Sequence, residues 1–151
     1  VKRLRNTVTT RTPVSPEYGS THSRRSDMDK LIKDFIAVAN KDLSYSYEPK
    51  TEFHRLGKRV AKKVAVALGL PTGSYDIRSN LGGVAVSGEV TLHGEDIYIQ
   101  FGKSFSGEPR IMYRSCKGRK DYTGGSNNFM DVESLQNFDE AISYFQRIRG
   151  T

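Results

Sequence analysis

Apolar residues in this chain change their spacing twice, and those two changes limit the folds open to it. Met28, Leu31, Ile32, Phe35, Ile36, Ala39 and Leu43 recur every three or four positions, as do Phe53, Leu56, Val60, Val64 and Leu68. That is the period of a helix with one buried face. Between them and the C-terminal segment the period falls to two: Ile97, Ile99 and Phe101 alternate with Tyr98 and Gln100, as in a half-buried strand. Helical spacing returns with Val132, Leu135, Phe138, Ile142, Phe145 and Ile148. The order predicts an α+β domain: two N-terminal helices, a small antiparallel sheet of about four strands, and a C-terminal helix packed on one face.

Punctuation residues set the expected boundaries. Residues 1–25 lack apolar periodicity and are rich in Thr, Ser, Arg, Pro and Gly. They read as a basic flexible arm without structure of its own, preceding a single domain over 26–151. Ser26 is placed to cap the first helix, with Asp27 and Asp29 at the positive end of its dipole. Residues 44–50 read as a loop ending at Pro49, and Thr51 as the cap of the second helix, which Gly69 and Pro71 end. A strand is expected over 74–79, then a turn from Asn80 to Gly83. A second strand would carry Val84, Val86, Val90 and Leu92, with Gly88 marking a bulge or a close backbone approach. After the strand around Ile97–Phe101, the Gly102–Pro109 loop leads to a strand over 110–116. Ile111 and Tyr113 share one of its faces, and Arg110, Met112, Arg114 and Cys116 the other. A polar loop from Lys117 to Asn128 precedes Asp131, which is placed to cap the last helix.

Positive charge falls in three blocks. The arm carries Lys2, Arg3, Arg5, Arg11, Arg24 and Arg25 against Glu17 alone. Residues 50–63 carry Lys50, Arg55, Lys58, Arg59, Lys62 and Lys63 against Glu52. Residues 110–121 carry Arg110, Arg114, Lys117, Arg119 and Lys120 against Asp121. Their combined charge exceeds the +7 of the whole chain, so the remaining segments are net acidic. Like charges packed this closely on a helix repel one another, and an anionic partner relieves that repulsion. In the second helix, Arg55, Arg59, Lys62 and Lys63 lie opposite the apolar stripe, with Lys58 beside them. In the last block, glycine lets backbone N–H groups approach phosphate, arginine offers forked donors, and Tyr122 offers a ring for stacking.

Other chemistries find less support. No Gly-Lys-Ser/Thr phosphate loop, zinc finger or RNA-recognition aromatic pair is present. His22, His54, His93 and the lone Cys116 lack zinc-ligand spacing, so no metal site is expected. Asp76 and Glu89 on neighbouring strands would be a carboxylate pair for a metal-dependent nuclease, but no lysine closely follows Glu89, and Glu95 and Asp96 flank a tight turn where solvation accounts for them. A His54/His93 acid–base pair has nothing to fix its geometry, and Cys116 has no visible base. Neither catalytic residues nor cofactors are expected. The helix–strands–helix order resembles the double-stranded-RNA-binding architecture in outline. That architecture places its basic cluster at the start of the last helix, where this chain has Asp131 and Glu133, so no family is assigned.

The expected function is therefore non-catalytic: a small basic nucleic-acid-binding protein that recognises phosphate backbone with low sequence specificity, on DNA or RNA. Specificity would rise only where Tyr122, Asn127 or Asn128 reach bases. That expectation requires cations distant in sequence to gather on one anion-facing surface. Two alternatives stand beside it: a component of a virion or phage particle whose arm reaches its neighbours, and a regulator that binds an acidic protein surface. A single cysteine and the lack of a visible secretion signal point to an intracellular location or a viral particle. No apolar run is long enough to span a bilayer, and no small-molecule substrate is evident.

Overall fold

A computed structural model describes residues 16–151, with side chains from Arg25 onward. The chain divides into two units, 1–31 and 32–151. In the first, the described backbone is helical from Pro16, where helix α1 (Pro16–Ala39) begins. Ser26 is therefore inside the helix and does not cap it, and the second part of the expected arm, 16–25, is helical. Proline suits the first helical position because the N–H it lacks would have had no intrahelical acceptor there.

The second unit holds the end of α1, two further helices, a short 3-10 segment and a five-stranded sheet, an α+β fold. Helix α2 (Tyr47–Ala67) starts before Thr51, with Ser46 at its N-cap. Pro49 does not end a loop. It lies in the first turn of α2, where proline costs no hydrogen bond. Five antiparallel strands follow in simple sequential order: β1 (Asp76–Asn80), β2 (Glu89–His93), β3 (Ile97–Lys103), β4 (Pro109–Ser115) and β5 (Asn128–Asp131). Strand β5 was not expected, because only Phe129 and Met130 of its four residues are apolar. Strand β2 is shorter than its valines imply. Val84 and Val86 are exposed in the β1–β2 connection, since β1 offers only five residues to pair with. Gly88 makes the close approach at the turn into β2: its φ is 72°, and a Cβ there would lie 2.2 Å from the Asn80 carbonyl oxygen.

After β5, Asp131 stands at the N-cap position of a short 3-10 segment (Val132–Gln136) but makes no side-chain capping bond there, and α3 (Phe138–Ile148) follows. The expected single C-terminal helix is thus broken at Asn137, whose φ of −103° and ψ of 77° are not helical.

The end of α1 from Ile32 onward, α2 and α3 lie against the same side of the sheet. Val90, Leu92, Ile99, Phe101, Ile111 and Tyr113 point to that side and are buried. Phe35 of α1 stacks on Phe53 of α2 at 5.3 Å between ring centres and meets Phe101 edge-on at 6.0 Å. Gly57 lets α2 approach β2: a Cβ at this position would lie 3.0 Å from Val90 Cγ2. Phe145 of α3 meets Tyr113 edge-on at 5.1 Å. Arg149, just past α3, donates to Asp96 in the β2–β3 turn and to the Leu68 carbonyl at the end of α2. Cys116 lies one residue beyond β4 and is buried beside the Gly94 carbonyl, so it does not share the open face of Arg110 and Arg114.

Candidate nucleic-acid interface

The apolar stripe of α2 fixes where its charges go. With Phe53, Leu56, Val60 and Val64 turned inward, Arg55, Lys58, Arg59, Lys62 and Lys63 are all exposed. Arg55 makes two 2.7 Å bonds to Glu52 one turn earlier. Among the described residues, Lys58, Arg59, Lys62 and Lys63 have no ion-pair partner. Lys50 instead donates to the Gly83 carbonyl, which holds the β1–β2 connection to the start of α2.

Among the described residues, no helix lies on the other side of the sheet. Strand pairing sets its side chains in rows. Asp76, His93, Tyr98 and Arg114 form one row; Arg78, Thr91, Gln100, Met112 and Phe129 form the next. Arg110 stands between Gly102 and Asp131 in a third.

The β4–β5 connection folds over the first of these rows, and Asp121 shapes it. The Asp121 carboxylate accepts backbone N–H bonds from Lys117, Thr123 and Gly124, each at 3.0 Å. These donors stabilise the charged form and hold its pKa far below the usual carboxylate range. The turn sets Tyr122 edge-on to His93, with ring centres 5.2 Å apart. Arg114 lies flat on Tyr98 at 4.4 Å and donates to the Tyr122 carbonyl at 2.6 Å. Its Nε is buried without an acceptor. Arg119 grips both carboxylate oxygens of Asp76 and reaches the Gly73 carbonyl. Asp76 is consequently held charged, its pKa lowered first by Arg119.

The predicted site residues therefore separate into two roles. Arg114 and Arg119 hold the loop in place. Lys117, Lys120 and Tyr122 are exposed on it, and Arg110 stacks over Phe129. The two described charge blocks do not gather on one surface, because the sheet separates the α2 stripe from the open-face cations. At the β1 edge, Lys62 lies 5.8 Å from the Tyr75 ring and Arg119 reaches the Gly73 carbonyl. Lys2, Arg3, Arg5 and Arg11 lie outside the described residues, as does the side chain of Arg24; Arg25 is exposed on α1.

Sequence reasoning did not identify Arg78, Tyr98 and Phe129 as site residues. The alternation through Ile97–Phe101 contained the signal for Tyr98: residues between the apolar ones must face the side away from the helices.

The rejected chemistries are kept apart by geometry. Asp76 pairs in register with His93 at one end of β1 and β2, and Glu89 with Asn80 at the other. His54 joins α2 to Ser79 and the Ser87 carbonyl, whereas His93 lies on the open side. Burial raises the pKa of Cys116, the opposite of what a thiolate nucleophile needs. Among the described residues, no three His, Cys, Asp or Glu side chains group as metal ligands, and no helix is long and apolar enough to cross a membrane. No family model, curated protein or solved structure matches the chain.

Proposed function

We propose that this protein is a non-catalytic nucleic-acid-binding protein that holds the phosphate backbone with the cations of α2 by themselves, not with the single gathered surface expected from the sequence. The observation behind this is the row of Lys58, Arg59, Lys62 and Lys63, exposed on one rigid helix face with no ion-pair partner among the described residues. Mutual repulsion on that face is relieved when phosphates replace water and counterions. Long, mobile cations contact phosphate without reading base identity, so specificity from this surface is low. The N-terminal cations Lys2, Arg3, Arg5 and Arg11 would extend the same electrostatic attraction.

Reversing all four residues (Lys58→Glu, Arg59→Glu, Lys62→Glu, Lys63→Glu) tests the proposal, because their side chains are outside the core. Affinity for duplex and single-stranded oligonucleotides, measured by anisotropy at low salt, is expected to fall on the order of a hundredfold, with an unchanged circular dichroism spectrum. Unchanged affinity would refute the role of α2.

A second reading, a component of a larger assembly, has its own support. Tyr45, Tyr47, Leu81 and Val84 are exposed around a groove of about 460 Å³, and Phe105 is fully exposed at the β3–β4 turn. Apolar surface of this kind commonly marks protein contacts. Sedimentation that shows concentration-dependent association, abolished by Val84→Asp with Phe105→Asp, would favour this reading.

A further inference from the structure

The side of the sheet away from the helices carries a pocket of about 170 Å³ lined by Gln100, Gly102, Lys103, Arg110, Met112, Asn127 and Phe129. It is smaller than the ~300 Å³ at which sites for drug-sized ligands begin. One flat heterocycle is the scale it suits.

Its lining has three features that suit such a ring. Phe129 is 48% exposed although it lies within a strand, so part of its ring faces solvent. Arg110 faces Asp131 across the β4–β5 ladder, yet its guanidinium lies 4.0 Å over the Phe129 ring, and no ion pair joins it to Asp131. A cation is thus held at the aromatic surface, able to stack on a base or bond a phosphate. Around this pair, the Asn127 amide has no hydrogen-bond partner among the described residues, and Gln100 accepts only a 3.3 Å bond from the Tyr98 hydroxyl. Their free donors and acceptors match the edge groups of a base. Gly102 stands opposite Arg110 in the ladder, and a Cβ there would meet Glu89 Cβ at 3.4 Å.

We infer that this pocket takes one unpaired base of a single-stranded nucleic acid, stacked on Phe129 and Arg110 and met at its edge by Asn127 and Gln100. The inference rests on the nucleic-acid reading above and adds a preference for single strands. A base inside a duplex is stacked on both faces and cannot enter; a base in a single strand can turn out. Phosphates flanking it would stay near Arg110 and Lys103, the two cations that line the pocket.

Substitution of Phe129 tests this on the full chain. The probes are fluorescein-labelled oligo-dT and oligo-rU of about 12 nucleotides and a labelled duplex of equal phosphate number. Phe129→Ala and Phe129→Leu are both expected to weaken single-strand binding about tenfold and to leave duplex binding unchanged. Phe129→Trp is expected to retain it. Asn127→Ala, at an exposed loop position, is expected to weaken the same probes without lowering thermal stability. Full affinity with leucine, or equal losses on duplex and single strand, would overturn the inference while leaving α2 as a phosphate surface. A second copy seated on this face would appear as a dimer that Phe129→Ala dissociates, and would also overturn it. Absence of binding to every probe at low salt would overturn both readings.

Discussion

Arg78 donates a 2.9 Å hydrogen bond to Nδ1 of His93 on the uncovered side of the sheet. The opposite ring nitrogen donates to the Gly118 carbonyl, also at 2.9 Å. Together these bonds fix His93 as the neutral ring with its proton on Nε2. The residue is fully buried, and its pKa is lowered by that burial and by the charges of Arg78 and Arg114. A proton on Nδ1 would replace an acceptor with a donor facing a guanidinium.

Stability is therefore expected to fall with acid. The unfolded chain takes up the histidine proton near the ordinary value of 6.5, and the folded chain only at lower pH. The contribution is complete above that value and is lost as pH drops through the folded pKa. His54 is lowered by burial in the same direction. Denaturant midpoints measured from about pH 8 to about pH 5 should decline below the unfolded value, and His93→Gln should reduce that decline without abolishing it. A midpoint independent of pH in both proteins would contradict the buried neutral histidine.

Phe35 connects two helices to the sheet, stacked on Phe53 and edge-on to Phe101. Phe35→Ala leaves a cavity among side chains that cannot close around it and is expected to destabilise the fold by about 3–5 kcal/mol. Equilibrium urea unfolding measures this directly. A loss under about 1 kcal/mol would show that the three rings do not form the centre of the core.

Asp121 gathers three backbone N–H groups of the β4–β5 connection. In Asp121→Ala those donors lose their acceptor, and amide hydrogen exchange at Lys117, Thr123 and Gly124 is expected to accelerate while β3 exchange stays slow. Unaltered exchange at the three amides would show that the carboxylate does not hold the loop.

The sequence revealed the helices and the central sheet because buried faces leave a period: Phe53 to Leu68 on α2, Ile97 to Phe101 on β3. It misplaced the start of α2, since Pro49 reads as a stop whether it precedes a helix or occupies its first turn. It overextended β2, since Val84 and Val86 follow strand spacing although no neighbouring strand is there to pair with them. It overlooked β5, whose pairing with β4 leaves little trace in four residues. The α2 stripe was legible because helical geometry alone places Lys58, Arg59, Lys62 and Lys63 away from Val60 and Val64. The roles of Arg114 and Arg119 were not, because each depends on partners distant in sequence: Tyr98 and Tyr122 for one, Asp76 and Gly73 for the other.

Salt dependence tests phosphate recognition by α2 most directly. Duplex affinity should be followed from about 50 to about 200 mM salt for the native protein and for a variant with Lys58, Arg59, Lys62 and Lys63 all replaced by alanine. If each of the four side chains neutralises a phosphate, the plot of log affinity against log salt should be shallower in the variant by about 3 to 4. Parallel plots for the two proteins would mean that nucleic acid, if bound at all, lies elsewhere on the molecule.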